Sequence, residues 1–199
     1  MVKYNREEDK NMSKKSIIAI VVVVILVILV AVPLGSYNSL ISMQTAVEEQ
    51  SANIDTQLQR RMDLIPNLVN TVKGFTSHET EVFDAVTSAR ENLMSAGTMA
   101  EKSEANEQVT TALNNLIAIA EAYPELKSDA VYTSLMDELA GTENRISYAR
   151  TDYNSDVTTY NTAIRRFPTV IFAGILGFDK ADFFEAAEGA EVVPEVNFE

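Results

Sequence analysis

The chain has 199 residues, no cysteine, one histidine and a formal net charge of −13. Without cysteine it has no disulfide framework, thiol nucleophile or thiolate metal site, and so acidic a surface repels phosphate backbones, which excludes nucleic acid as a ligand class. About 165 residues follow an N-terminal apolar block, enough for one domain with a core of its own and too few for two.

Residues 1–16 form a basic N-terminal segment with Lys3, Arg6, Lys10, Lys14 and Lys15. Ile17 to Leu34 is an unbroken apolar run. At ~1.5 Å per residue it matches the roughly 30 Å hydrocarbon core of a bilayer, so residues 17–34 are expected to be a single transmembrane helix. A cleaved signal peptide is the alternative, but the block exceeds the usual apolar length and no clean small-x-small site follows it in Val32-Pro33-Leu34-Gly35-Ser36-Tyr37. The first basic residues beyond the run are Arg60 and Arg61. This asymmetry predicts a cell-membrane protein with a cytoplasmic N-terminus and its domain outside.

The expected domain covers residues 37–184. From Tyr37 to Gly74 the apolar residues Leu40, Met43, Val47, Ile54, Leu58, Met62, Ile65, Val69 and Val72 recur at helical spacing. Pro66 lies inside this stripe, where a missing N–H and a ring clash predict a kink or a brief break. Gly74 offers a stop, and Thr76 to Glu79 has the spacing of a capping box. A second helix is expected over about 79–94, with Val82, Phe83, Val86, Ala89 and Leu93 inward. A third, about 100–122, has Val109, Ala112, Leu116, Ile119 and Ala120 inward and ends at Tyr123-Pro124. The fourth starts near Ser128 or Asp129 and runs to Phe167 through Val131, Leu135, Leu139, Ile146, Ala149, Tyr153, Val157, Tyr160 and Ile164. The first and fourth helices are each roughly 55–60 Å long, about the sum of the two between them. The expected architecture is therefore all-α, an N-terminal transmembrane helix followed by an elongated antiparallel four-helix bundle.

On this path the segment after Pro168 returns to the membrane-proximal end. Its apolar residues Val170, Ile171, Phe172, Ile175, Leu176 and Phe178 are too few to span a bilayer, and either pack on the bundle or touch the lipid interface or a partner. The acidic tail 185–199 is expected to be loosely ordered.

The chemistry is sparse. With His78 alone, paired Glu-x-x-His units cannot be built, and no catalytic triad, Walker loop or dinucleotide fingerprint occurs. The reading is a protein with no enzymatic activity, metal or other cofactor. Polar residues are dense in the two long helices, and Asp55, Arg60, Arg61, Asp63, Asn67, Glu143, Arg150 and Asn154 are the candidate interaction residues. They form either a solvated face of weak local pairs or an interhelical network that sets register. In antiparallel packing Arg60 or Arg61 reaches Glu143 or Asp152, and Arg150 reaches Asp55 or Asp63.

The run Ile54-Asp-Thr-Gln-Leu-Gln-Arg-Arg-Met-Asp-Leu-Ile-Pro-Asn-Leu-Val-Asn-Thr-Val-Lys-Gly-Phe75, then His78-Glu79, resembles the signature of the LemA family. Tyr123-Pro124, Glu143 to Ile146, Ala149-Arg150, Tyr153-Asn154, Tyr160-Asn161, Phe167-Pro168 and Gly177-Phe178 continue the match in order. The chain departs from it at Ser51-Ala52, where relatives often carry an aromatic residue, and at Met62, commonly a tyrosine. The resemblance implies an N-terminally anchored, mostly helical bacterial membrane protein, and it brings no catalytic residues. Family descriptions put the short N-terminus outside the cell, the reverse of the orientation that the charges predict. Some relatives are linked to building intracellular membrane compartments, which fits a scaffold presenting its bundle to a protein partner or to its own copies. The alternative is an accessory subunit for membrane proteolysis or envelope-stress signalling.

Overall fold

In the computed structural model the described residues are 14–76 and 78–184, with the side chains of 14–16, 28–30 and 32 left aside. The basic segment up to residue 13 and the expected tail 185–199 lie outside them. All regular structure among the described residues is helical: α1 (Lys14–Lys73), α2 (Thr80–Ser95), α3 (Met99–Glu121), the single turn α4 (Pro124–Lys127), α5 (Ala130–Arg165) and a 3-10 turn, Thr169–Ile171.

The segment 17–34 and the first bundle helix are one element of 60 residues. Among the described residues no helix is long and apolar enough to cross a membrane, and four residues of the expected span, 28–30 and 32, are among those whose side chains are not described. From Ile17 to Val27 the apolar side chains are exposed, and burial begins at Leu40.

The spine of the domain is α1 against an antiparallel α5. Gln57 accepts a hydrogen bond from Arg145 Nε at 3.2 Å, Arg60 lies 3.6 Å from Glu138, and near the base the Tyr37 ring meets Phe178 edge-on at 5.6 Å. The hairpin of α2 and α3 packs on the far half of α1. The expected α1 stripe is buried, apart from a half-buried Met43, and Leu68 joins it with no exposed surface. Val131 is a correction: it is 58% exposed and Tyr132 points inward instead. Asp129 caps α5, accepting from the N–H groups of Val131 and Tyr132 at 2.9 Å each.

Of two other local expectations, the break at Pro66 is not seen and the capping box is overturned. Helix α1 runs through Pro66 without a break. Proline gives Met62 O no intrahelical donor, and Arg90 Nε of α2 supplies one at 3.0 Å. The exposed side of Pro66 faces water while Ile65 and Leu68 beside it are buried, so packing holds the helix on both sides of the ring. The capping box at Thr76 and Glu79 does not form. Thr76 is buried and its hydroxyl accepts from Tyr123 Oη at 3.1 Å, whereas Thr98 and Glu101 make the reciprocal box at the start of α3.

Candidate functional site

One residue of helical rotation is about 100°, so adjacent Arg60 and Arg61 face different surroundings. The Arg60 side chain is 57% exposed, and its pair with Glu138 belongs to the surface. Arg61 is turned into the bundle, its side chain only 5% exposed. There Nη1 donates to Asn106 Oδ1 at 2.8 Å and lies 2.6 Å from Glu143 Oε2, and Nη2 donates to Thr110 Oγ1 at 3.0 Å. Nε has no hydrogen-bond partner among the described residues. Burial pulls the Arg61 pKa below its ordinary value while the Glu143 carboxylate opposes the shift. Three helices, α1, α3 and α5, are thus locked at one level by a single guanidinium, which has the planar donor fork for several acceptors at once. Pairing and hydrogen bonding are what make such a buried charge tolerable.

The other candidate pairs fall apart. Asp55 is bound to Lys102 at 2.6 Å, not to Arg150. Asp63 is exposed and accepts from Gln59 at 2.8 Å within its own helix, and Asn67 faces solvent. Arg150 is half-buried and makes no ion pair among the described residues. The physical reason is the helical face: α5 lies alongside this level of α1 at Gln57, but the Asp55 carboxylate meets Lys102 of α3.

A second polar arrangement lies nearer the base. Tyr153-Asn154 and Tyr160-Asn161 stand seven residues apart on α5, two helical turns, and so on one face. The extended segment 179–184 runs along them. Asn161 Nδ2 donates to Ala181 O at 2.9 Å and its Oδ1 accepts from Ala181 N at 2.9 Å. Asn154 does the same with Phe184, at 2.8 and 3.0 Å. Tyr160 Oη donates to Asp179 O at 2.9 Å and Tyr153 Oη to Asp182 O at 2.8 Å. Each asparagine holds one residue by both backbone groups, as a neighbouring strand would. Both tyrosines titrate above the usual phenol value, first from burial and then from Asp182 for Tyr153 and Asp179 with Glu48 for Tyr160. The clamp anchors the C-terminal chain, with Phe178 and Phe184 buried against the bundle.

The segment 169–178 is divided by this anchoring. Ala173 and Phe178 are buried and Phe172 is half-buried, while Val170, Ile171, Ile175 and Leu176 are exposed, Ile175 at 85%. The reversal into Phe178 is made at Gly177, with φ +80°, a conformation open to glycine.

Sequence reasoning named Arg61 and Glu143 as a candidate pair, and it named Asn154 without its partner, the backbone of Phe184. It missed Asn106, Thr110 and Arg90, and it placed Tyr153 and Tyr160 only in the core. The repeated Tyr-Asn pair at one two-turn spacing was the available signal for the clamp.

A family model described as LemA family matches residues 50–198. Two proteins of Paramagnetospirillum magneticum, Magnetosome protein MamQ 1 and MamQ 2, are each 28% identical over 78% of this chain and 67% of their own length. Magnetosome protein MamQ of Magnetospirillum gryphiswaldense is 27% identical over 74% of this chain and 64% of its own. Protein LemA of Metamycoplasma hominis is 25% identical, over 79% and 72%.

Proposed function

The chain belongs to the LemA family, and from that premise we propose a non-enzymatic helical scaffold, held at the cell membrane by residues 17–34 and presenting its bundle outside the cytoplasm to a protein partner or to further copies of itself. The observation that carries this reading is the continuity of α1. Its first part shows water an apolar surface all round, Ile18 at 63% and Val23 at 58%, and its second part is the spine of the domain. A helix apolar on every side is stable only in lipid or inside protein, and one continuous helix joins that part to the bundle. The engagement of polar groups supports a scaffold. Arg61, Asn106, Thr110, Asn154 and Asn161 bind one another or backbone, which sets register and shape. That relatives bear the name of magnetosome proteins favours a role within an assembled cell structure.

Membrane fractions of cells making the full chain test the reading. The chain is expected to stay in the pellet through an alkaline carbonate wash, and to leave it when Val22, Val24 and Leu26 are all replaced by lysine. A reporter active only outside the cytoplasm, fused after Glu199, is expected to work. Release of the unaltered chain by carbonate refutes the anchor, and a silent reporter refutes the orientation.

A further inference from the structure

The base of the bundle carries an apolar patch and a basic groove side by side. Phe167, Val170, Ile171 and Ile175 are 81, 51, 62 and 85% exposed, although the backbone beneath them is tied down by Val170 N donating to Arg166 O at 2.8 Å and Phe178 N to Ala173 O at 3.0 Å. Large apolar side chains on an ordered surface mark a contact with something other than water. Beside them Arg165, Arg166 and Lys180 line a groove of about 510 Å³ with Thr158, Asn161 and Phe183, and Arg166 also borders the neighbouring groove that holds Phe167 and Met43. Among the described residues none of these three cations forms an ion pair, in a chain of net charge −13.

We propose that this base is a lipid-binding platform, in which Phe167, Val170, Ile171 and Ile175 enter the bilayer interface while Arg165, Arg166 and Lys180 take the phosphate of anionic lipid headgroups. The proposal rests on the anchoring reading above, and height along α1 decides the occupant. Tyr37, which meets Phe178 edge-on, is three residues past Leu34. At ~1.5 Å per residue it stands about 5 Å beyond the end of the apolar run, within the headgroup layer of a bilayer whose core is roughly 30 Å and whose full thickness is roughly 40–45 Å. Apolar residues with cations at their rim, and a tyrosine at the same level, are the composition that this layer selects. A basic rim on an otherwise acidic protein complements an anionic leaflet, and each cation near such a surface strengthens attachment about fivefold.

The absence of native cysteine makes the test direct. Full-length chains carrying Val23→Cys, Ile175→Cys or, on the exposed middle of α5, Tyr148→Cys are labelled with an environment-sensitive dye. They are reconstituted in nanodiscs of phosphatidylcholine with phosphatidylglycerol. The Val23 label is expected to be quenched by nitroxides deep in the acyl chains, the Ile175 label by shallow nitroxides, and the Tyr148 label only by aqueous iodide. Spin-labelled phosphatidylglycerol should quench the Ile175 label at least fivefold more efficiently than spin-labelled phosphatidylcholine, and the triple variant Arg165→Gln, Arg166→Gln, Lys180→Gln should remove that preference. A Val23 label outside the bilayer overturns the anchor and this platform together. A Val23 label inside with an Ile175 label open to iodide overturns the platform alone. An Ile175 label shielded from iodide yet not quenched by lipid means that a second copy or another protein covers the patch, and also overturns it. Equal quenching by the two spin-labelled lipids refutes the headgroup site.

Discussion

The carbonyl of Met62 links a proline in one helix to an arginine in another, and this coupling is measurable. Pro66 deprives Met62 O of its helical partner, and Arg90 Nε fills the vacancy at 3.0 Å from α2. A hydrogen bond from a charged donor contributes roughly 1.5–3 kcal/mol. Because Arg90 is half-buried, Arg90→Ala is expected to cost about 1.5 kcal/mol, part of it from lost packing of the aliphatic stem. In a Pro66→Ala background residue 66 has an N–H for Met62 O, so the same arginine substitution is expected to cost about 0.5 kcal/mol, the packing share alone. The double-mutant cycle cancels that share and leaves a coupling of about 1 kcal/mol. Pro66→Ala by itself should stabilise, by less than the ~3 kcal/mol that separates proline from alanine in an isolated helix, since the bundle already meets part of that cost through Arg90. The assay is urea unfolding of the full chain in mild detergent, followed by far-UV circular dichroism. Equal costs for Arg90→Ala in both backgrounds would refute the claim that Arg90 holds the helix through its proline.

Arg61→Ala should destabilise the bundle by about 3–5 kcal/mol, as it leaves Asn106 without a partner and opens a cavity, whereas Lys102→Ala, at a partly exposed pair, should cost under about 1 kcal/mol; matching melting curves for the two would show Arg61 to be an ordinary surface cation. Arg61→Met should be milder than Arg61→Ala, because Glu143 is half-exposed and can return to water. Asn161→Ala is expected to cost about 2 kcal/mol and to expose the chain around Ala181 to protease ahead of the helices, while an unchanged cleavage pattern would mean that the clamp is redundant. Leu58→Ala and Ile146→Ala, each at a site 2% exposed, should each cost about 2–5 kcal/mol, and Thr111→Ala, on an exposed face, close to none. The Glu101 carboxyl is held below its ordinary value of 4.5 by the N–H groups of Thr98, first, and Gly97. Its folded pKa being depressed, its contribution is present above about pH 4.5 and is lost as the pH falls through the folded value. The melting temperature of the unaltered chain should therefore drop more steeply below pH 4.5 than that of Glu101→Gln, and parallel profiles would dismiss the cap.

Sequence by itself determined the four long helices, because helix formation here is written in local periodicity, while the short turns α4 and Thr169–Ile171 were not foreseen. The stripes of α1, α2 and α5 name most of the core, and Asp129 and Tyr123-Pro124 mark boundaries through chemistry confined to a few neighbouring residues. Arg61 and Glu143 were legible as a candidate pair from antiparallel packing alone. Tertiary structure decided whatever depended on a partner distant in the chain. It let α1 pass Pro66 because Arg90, 28 residues beyond Met62, serves the freed carbonyl, and it withdrew Thr76 from its cap because Tyr123, 47 residues on, takes the hydroxyl. It chose Arg61 over Arg60 because only the former faces Asn106 and Thr110. It turned two Tyr-Asn pairs into a clamp because residues 179–184, which carry no periodic signal, fold back along α5. Spacing along a helix states which residues share a face, but what that face meets is fixed only when the helices pack.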